Sequence, residues 1–82
     1  MANKAKTFIL DQTGAYFLAD EDADTSTQYY GYVRPDGTWY IQRITTNSGD
    51  NLYRYYLATT DYATGWTNRA SHTYDYPHEV FD

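Results

Sequence analysis

The chain has no cysteine. No disulfide can tie it together, and no thiolate cluster can hold zinc. It is also short of bases: six Lys and Arg stand against eleven Asp and Glu, a net charge of −5. Binding to a nucleic-acid backbone needs clustered Lys and Arg, so that partner is not expected, and neither is an anionic membrane surface. Long apolar runs are missing, and none approaches the roughly 18 residues of a membrane-spanning helix. Residues 1–6 make a basic start, but only residues 7–10 follow as an apolar run. That is too short for a signal peptide and predicts a chain made and folded in the cytoplasm. Leu, Ile and Val are scarce. With 82 residues one domain, 1–82, is expected. A chain of this length buries only about 60–65% of its unfolded surface, so its core is small.

Aromatic residues fill the gap. Eleven Tyr, two Trp and three Phe make up 20% of the chain. Tyr has an apolar ring and a wet hydroxyl, which suits half-buried sheet faces and interfaces. A small, wet core without disulfides points to added stability from an oligomer interface.

Residues 28–45 give the strongest structural signal: two strands around Pro35-Asp36-Gly37. Pro35 presets φ, and Gly37 can take positive φ, which suits a type I turn closed by a left-handed glycine. Alternation puts Tyr30, Tyr32 and Arg34 on one face of the first strand, with Tyr29, Gly31 and Val33 on the other. On the return strand Trp39, Ile41, Arg43 and Thr45 share a face opposite Tyr40, Gln42 and Ile44. Gly31 marks a bulge or a ring lying across the backbone, with Trp39 or Tyr40 as candidate cover. Residues 47–50 read as a second turn and 51–59 as a third strand, giving an up-and-down meander.

Residues 6–10 and 15–19 read as a further hairpin through a turn at 11–14. Residues 20–27 read as a solvated acidic link. Residues 60–69 suggest a loop or helical turn anchored by Tyr62 and Trp66. A last short strand is expected around 71–76, ended by Pro77. Residues 1–5 and 77–82 are candidate extended arms. The fold expected is therefore all-β: a small antiparallel meander, sandwich-like or a partly open barrel, of about five strands.

Motifs for chemistry are weak. Asp20, Asp22 and Asp24 have the spacing that opens a calcium loop, but Thr25 stands where the turn needs Gly and Gly31 where the bidentate Glu belongs. His72, Asp75 and His78 have metal-compatible spacing, but Pro77 and the lack of a helical pattern argue against a site. Ser71 and His72 are strand neighbours that point apart, so they make a poor nucleophile–base dyad. The acids cluster in turns and loops, not across a cleft as glycoside hydrolysis needs. There is no glycine-rich phosphate loop. No catalytic residue, metal or cofactor is expected. The rings allow two binding readings: self-assembly through Tyr-rich faces, or stacking on sugar faces as in a carbohydrate-binding module. The candidate contact residues for either are Tyr30, Tyr32, Trp39, Tyr53, Tyr55 and Trp66. Arg34, Arg43, Arg54 and Arg69 are interleaved with Tyr, which suits cation–π and interface contacts.

Residues 29–43, Tyr-Tyr-Gly-Tyr-Val-Arg-Pro-Asp-Gly-Thr-Trp-Tyr-Ile-Gln-Arg, resemble a pattern of small proteins and tail-fibre-associated segments of tailed bacteriophages. Residues 66–71 and 74–76, followed by Val80 and Phe81, are similar to the endings of such proteins. The resemblance covers about two-thirds of the chain. It implies a virion-associated structural protein that assembles with itself or with other virion proteins, and it brings no catalytic residues.

Overall fold

The structure is a computed structural model describing residues 15–23 and 26–81. Among the described residues four antiparallel strands form one sheet in sequence order: β1 (Phe17–Ala23), β2 (Thr27–Val33), β3 (Trp39–Asn47) and β4 (Asp50–Ala58). Then come a short helix α1 (Tyr62–Thr67), a 3₁₀ turn (Arg69–Ser71) and a four-residue helix α2 (Pro77–Val80). This is the expected all-β meander. The expected strand at 6–10, its turn at 11–14 and the arm at 1–5 lie outside the described residues.

The turns follow from their residues. The Gly37 N–H donates to the Arg34 carbonyl at 2.9 Å, with Gly37 at φ 94°. The Asp36 carboxylate accepts from the Thr38 N–H and hydroxyl, and the backbone bond holds its pKa below the ordinary value. Ser48 and Gly49 both take positive φ, which matches the right-handed twist of the strands they join. Gly31 pairs with Ile41 and Tyr32 with Tyr40, and Ile41 with Tyr56. Cross-strand partners share a face, so the alternation expected for β2 and β3 holds.

One face is roofed. Trp39 and Ile41 are fully buried there, and Tyr74 nearly so, with Tyr29, Val33, Tyr56, Ala58, Tyr62 and Trp66 packed around them. Asp61 caps α1 by accepting from the Thr64 N–H at 3.1 Å. Tyr62 and Trp66, the anchors expected for this stretch, pack against the core, and α1 meets the sheet through two glycines. Gly31 in β2 leaves room for the Tyr62 and Trp66 rings, while Gly65 in α1 leaves room for the Trp39 ring. The cover over Gly31 thus comes from the helix and not from a cross-strand ring.

The acidic stretch differs from expectation. Asp20, Glu21 and Asp22 are paired within β1, so the solvated link is shorter than 20–27. A register shift between Leu18 and Asp20 turns Asp20 and Asp22 toward the roof. Asp20 accepts from the Tyr62 hydroxyl at 2.8 Å, and Asp22 pairs with Arg69 at 2.9 Å. These partners compensate acids that alternation alone would leave in water. Asp24 and Thr25 lie outside the described residues.

The expected strand at 71–76 is reduced to one bridge, Tyr55 with Asp75, on the outer edge of β4. The Tyr55 N–H donates to Asp75 O at 2.7 Å and the Asp75 N–H to Tyr55 O at 2.9 Å. Tyr74 remains on the roofed face, and beyond Pro77 the chain reaches the opposite face. There Phe81 packs edge-on against Tyr40 and Tyr55. The 77–81 tail therefore docks on its own sheet.

Candidate binding face

The face opposite the roof is built from alternate residues of all four strands. One row across it reads Leu18, Tyr32, Tyr40, Leu57; the next reads Glu21, Tyr30, Gln42, Tyr55; a third reads Ala23, Gln28, Ile44, Tyr53. Glu21 is the only charged residue in these rows. Leu18 is 52% exposed, Tyr53 45%, Leu57 41% and Phe81 38%, so the face presents large apolar groups to solvent.

Tyr40 is its hub. The Tyr32 ring stacks on it at 4.8 Å and 21°, while Tyr16 and Phe81 meet it edge-on at 4.7 and 5.0 Å. Burial, reinforced by the neighbouring phenols, pushes the Tyr40 hydroxyl up to about 12, and burial also raises Tyr32. Gln42 donates to the Tyr55 hydroxyl at 3.0 Å, and the Tyr30 hydroxyl donates to Gln28 at 3.1 Å. These bonds hold the rings in place.

Of the six residues named from sequence, Tyr30, Tyr32, Tyr53 and Tyr55 come together on this face. Trp39 and Trp66 do not. Trp39 is 1% exposed and its indole N–H donates to the Thr60 carbonyl; Trp66 lies in the roof beneath the Arg69 guanidinium at 4.5 Å. Tyr40, Leu18, Leu57 and Phe81 were not among the six. The signal for Tyr40 was present, because strand alternation sets it opposite Tyr32. Leu57 shares a face with Tyr53 and Tyr55 by the same alternation, whereas Leu18 needed the register and Phe81 the path of the tail.

Each arginine of the sequence lies over an aromatic ring, as the interleaving suggested. Arg34 covers Tyr16 at 4.4 Å, Arg43 covers Tyr74 at 4.8 Å and Arg54 covers Tyr76 at 4.0 Å. His72 stacks on Tyr56 at 3.9 Å with Nε2 against the Gly65 carbonyl, a packing role. Among the described residues no group of three or more His, Asp or Glu could hold a metal ion. No helix among them is long and apolar enough to cross a membrane. A cavity of about 500 Å³ opens beside the Pro35–Gly37 turn, lined by Tyr16, Arg34, Asp36, Thr38, Leu57 and Thr60 among others. Comparison with protein-family models, curated proteins and solved structures finds no match.

Proposed function

We propose that the chain is a non-enzymatic structural protein that assembles through its tyrosine face, with a second copy of itself as the first partner. The observation that carries this reading is the charge pattern of that face. A chain of net charge −5 repels its copies, yet its Leu18-to-Tyr53 rows hold one charge, Glu21, on the edge strand among the described residues. Arg34 stands beside them at one end, spent on the Tyr16 ring and hydroxyl. Depletion of charge with enrichment of Tyr is the composition of an interface core. A two-fold pairing of like faces would set ring against ring without opposing carboxylates at the centre. The resemblance of residues 29–43 to tailed-phage segments supports a virion as the setting. The chain would be made in the host cytoplasm and would meet its own copies, other virion proteins, or both.

Size-exclusion chromatography with light scattering tests this. A dimer or larger species is expected at micromolar concentration. The double variant Tyr53→Asp, Leu57→Asp should be monomeric with the same far-ultraviolet spectrum. A compact, normally stable monomer of the unchanged chain would overturn the reading.

A carbohydrate-binding module is the second reading, favoured by the cavity beside the turn, where a carboxylate, hydroxyls and a ring converge. Its weakness is the state of the rings. Tyr32 and Tyr40 cover each other, and Tyr16 has one face under Arg34. A glycan array showing no bound sugar removes this reading.

A further inference from the structure

We propose that Arg43 and Arg54 form a binding site for an oxyanion, a carboxylate or phosphate group, on the roofed side of the sheet. The site lies on the opposite face from the assembly surface and does not depend on it. Arg43 and Arg54 are direct cross-strand partners in β3 and β4. Like charges placed opposite each other on one face are destabilising, and the usual remedy is a carboxylate.

The contrast with Arg69 is informative. One row across the roofed face reads Asp22, Tyr29, Arg43, Arg54. Arg69 descends on the first of these and gives Asp22 two bonds, from Nε at 3.0 Å and Nη2 at 2.9 Å. Arg43 and Arg54 have no ion-pair partner among the described residues, in a chain where acids outnumber bases. The Arg43 Nε is buried without a hydrogen-bond partner, as is that of Arg34. Arg34, however, has no arginine opposite it and donates from Nη2 to the Tyr16 hydroxyl at 3.0 Å. Arg54 spends one N–H on the neighbouring Tyr53 carbonyl, from Nη1 at 3.0 Å. The Asp75 carboxylate, between Tyr74 and Tyr76 in the chain, accepts from the Tyr76 N–H at 2.8 Å and makes no ion pair with either arginine.

Both guanidinium groups are nonetheless held in place. Arg43 lies on Tyr74, and Arg54 on Tyr76, two residues further along the same segment. Stacking fixes the plane of each fork. The donors left for an anion are the terminal nitrogens of Arg43, beyond its buried Nε, and the nitrogens of Arg54 other than Nη1. Planar forks of this kind take a carboxylate or phosphate. A single anion bridging the two would replace their repulsion with charge-assisted hydrogen bonds.

The test is an NMR titration of the ¹⁵N-labelled chain at constant ionic strength, following the arginine Nε–Hε signals. Inorganic phosphate is added in one arm and glutarate in the other. Saturable shifts of Arg43 and Arg54 are expected, with phosphate alone, glutarate alone or both naming the oxyanion preferred. R43Q and R54Q should each weaken binding by about tenfold or more, and R54K should do so too, because Lys keeps the charge but loses the planar fork. If R43Q fails to fold, R54Q decides, since its partner ring Tyr76 is 49% exposed. Linear shifts, or equal shifts at Arg34 and Arg69, mean an adventitious ion only and overturn the proposal.

Discussion

A methyl group added at position 31 has nowhere to go. It would sit 2.9 Å from the Tyr62 ring and 3.0 Å from the Trp66 ring, in a strand pinned on both sides. Gly31→Ala should therefore cost about 1–3 kcal/mol by overpacking, read as a lower urea midpoint with unchanged slope. The tyrosine hydroxyls give a second expectation. Burial raises Tyr40 to about 12 and raises Tyr62 and Tyr74 as well, Tyr62 with help from its bond to Asp20. Each is neutral in the fold at a pH where the unfolded phenol, with a pKa of about 10, has ionised. The Tyr40 contribution is fully present below pH 10 and is lost as pH rises through about 12, and those of Tyr62 and Tyr74 are lost at higher pH still. An absorbance titration at alkaline pH should show an early group of phenols, then a late group that ionises with unfolding. Simultaneous titration of all eleven near pH 10 would contradict this burial.

Elements divide by how local their causes are. The β2–β3 hairpin is legible in the sequence because Pro35, Asp36 and Gly37 encode the turn by their own geometry, and alternation does the rest. The β3–β4 turn is legible for the same reason. Membership of Asp20 and Asp22 in β1 is not local. It depends on Tyr62 and Arg69, more than forty residues away, and on a register shift that no composition shows. Of the binding face, Tyr30, Tyr32, Tyr53 and Tyr55 could be read from alternation. Trp39 and Trp66 could not be assigned without knowing which face the helix covers. The helix α1 has six residues, too few to persist alone, so its cap matters. Asp61→Ala should cost about 1 kcal/mol, and Asp61→Asn much less, measured by thermal unfolding.

Among the described residues the large side chains that are fully buried are Trp39 and Ile41. A chain with so small a core gains most from covering its second face. If copies meet there, stability is linked to concentration by mass action. The melting temperature of the unchanged chain should rise as concentration increases from micromolar upward. That of the Tyr53→Asp, Leu57→Asp variant should not. A concentration-independent melt for both would leave the tyrosine face without a role in assembly.

The two glycines exchanged between α1 and the sheet bear on the timing of opening. A ring from each side occupies the place of the other's missing side chain, so neither can withdraw alone without uncovering Trp39. Short helices usually open locally, and their amides exchange with solvent long before the global transition. Here the Gly65 amide, bonded to the Asp61 carbonyl at 3.0 Å, should exchange only when the sheet itself unfolds. Its protection against deuterium should equal that of the Ile41 amide. In Gly31→Ala the two should separate, the helix becoming a latch that opens before the strands.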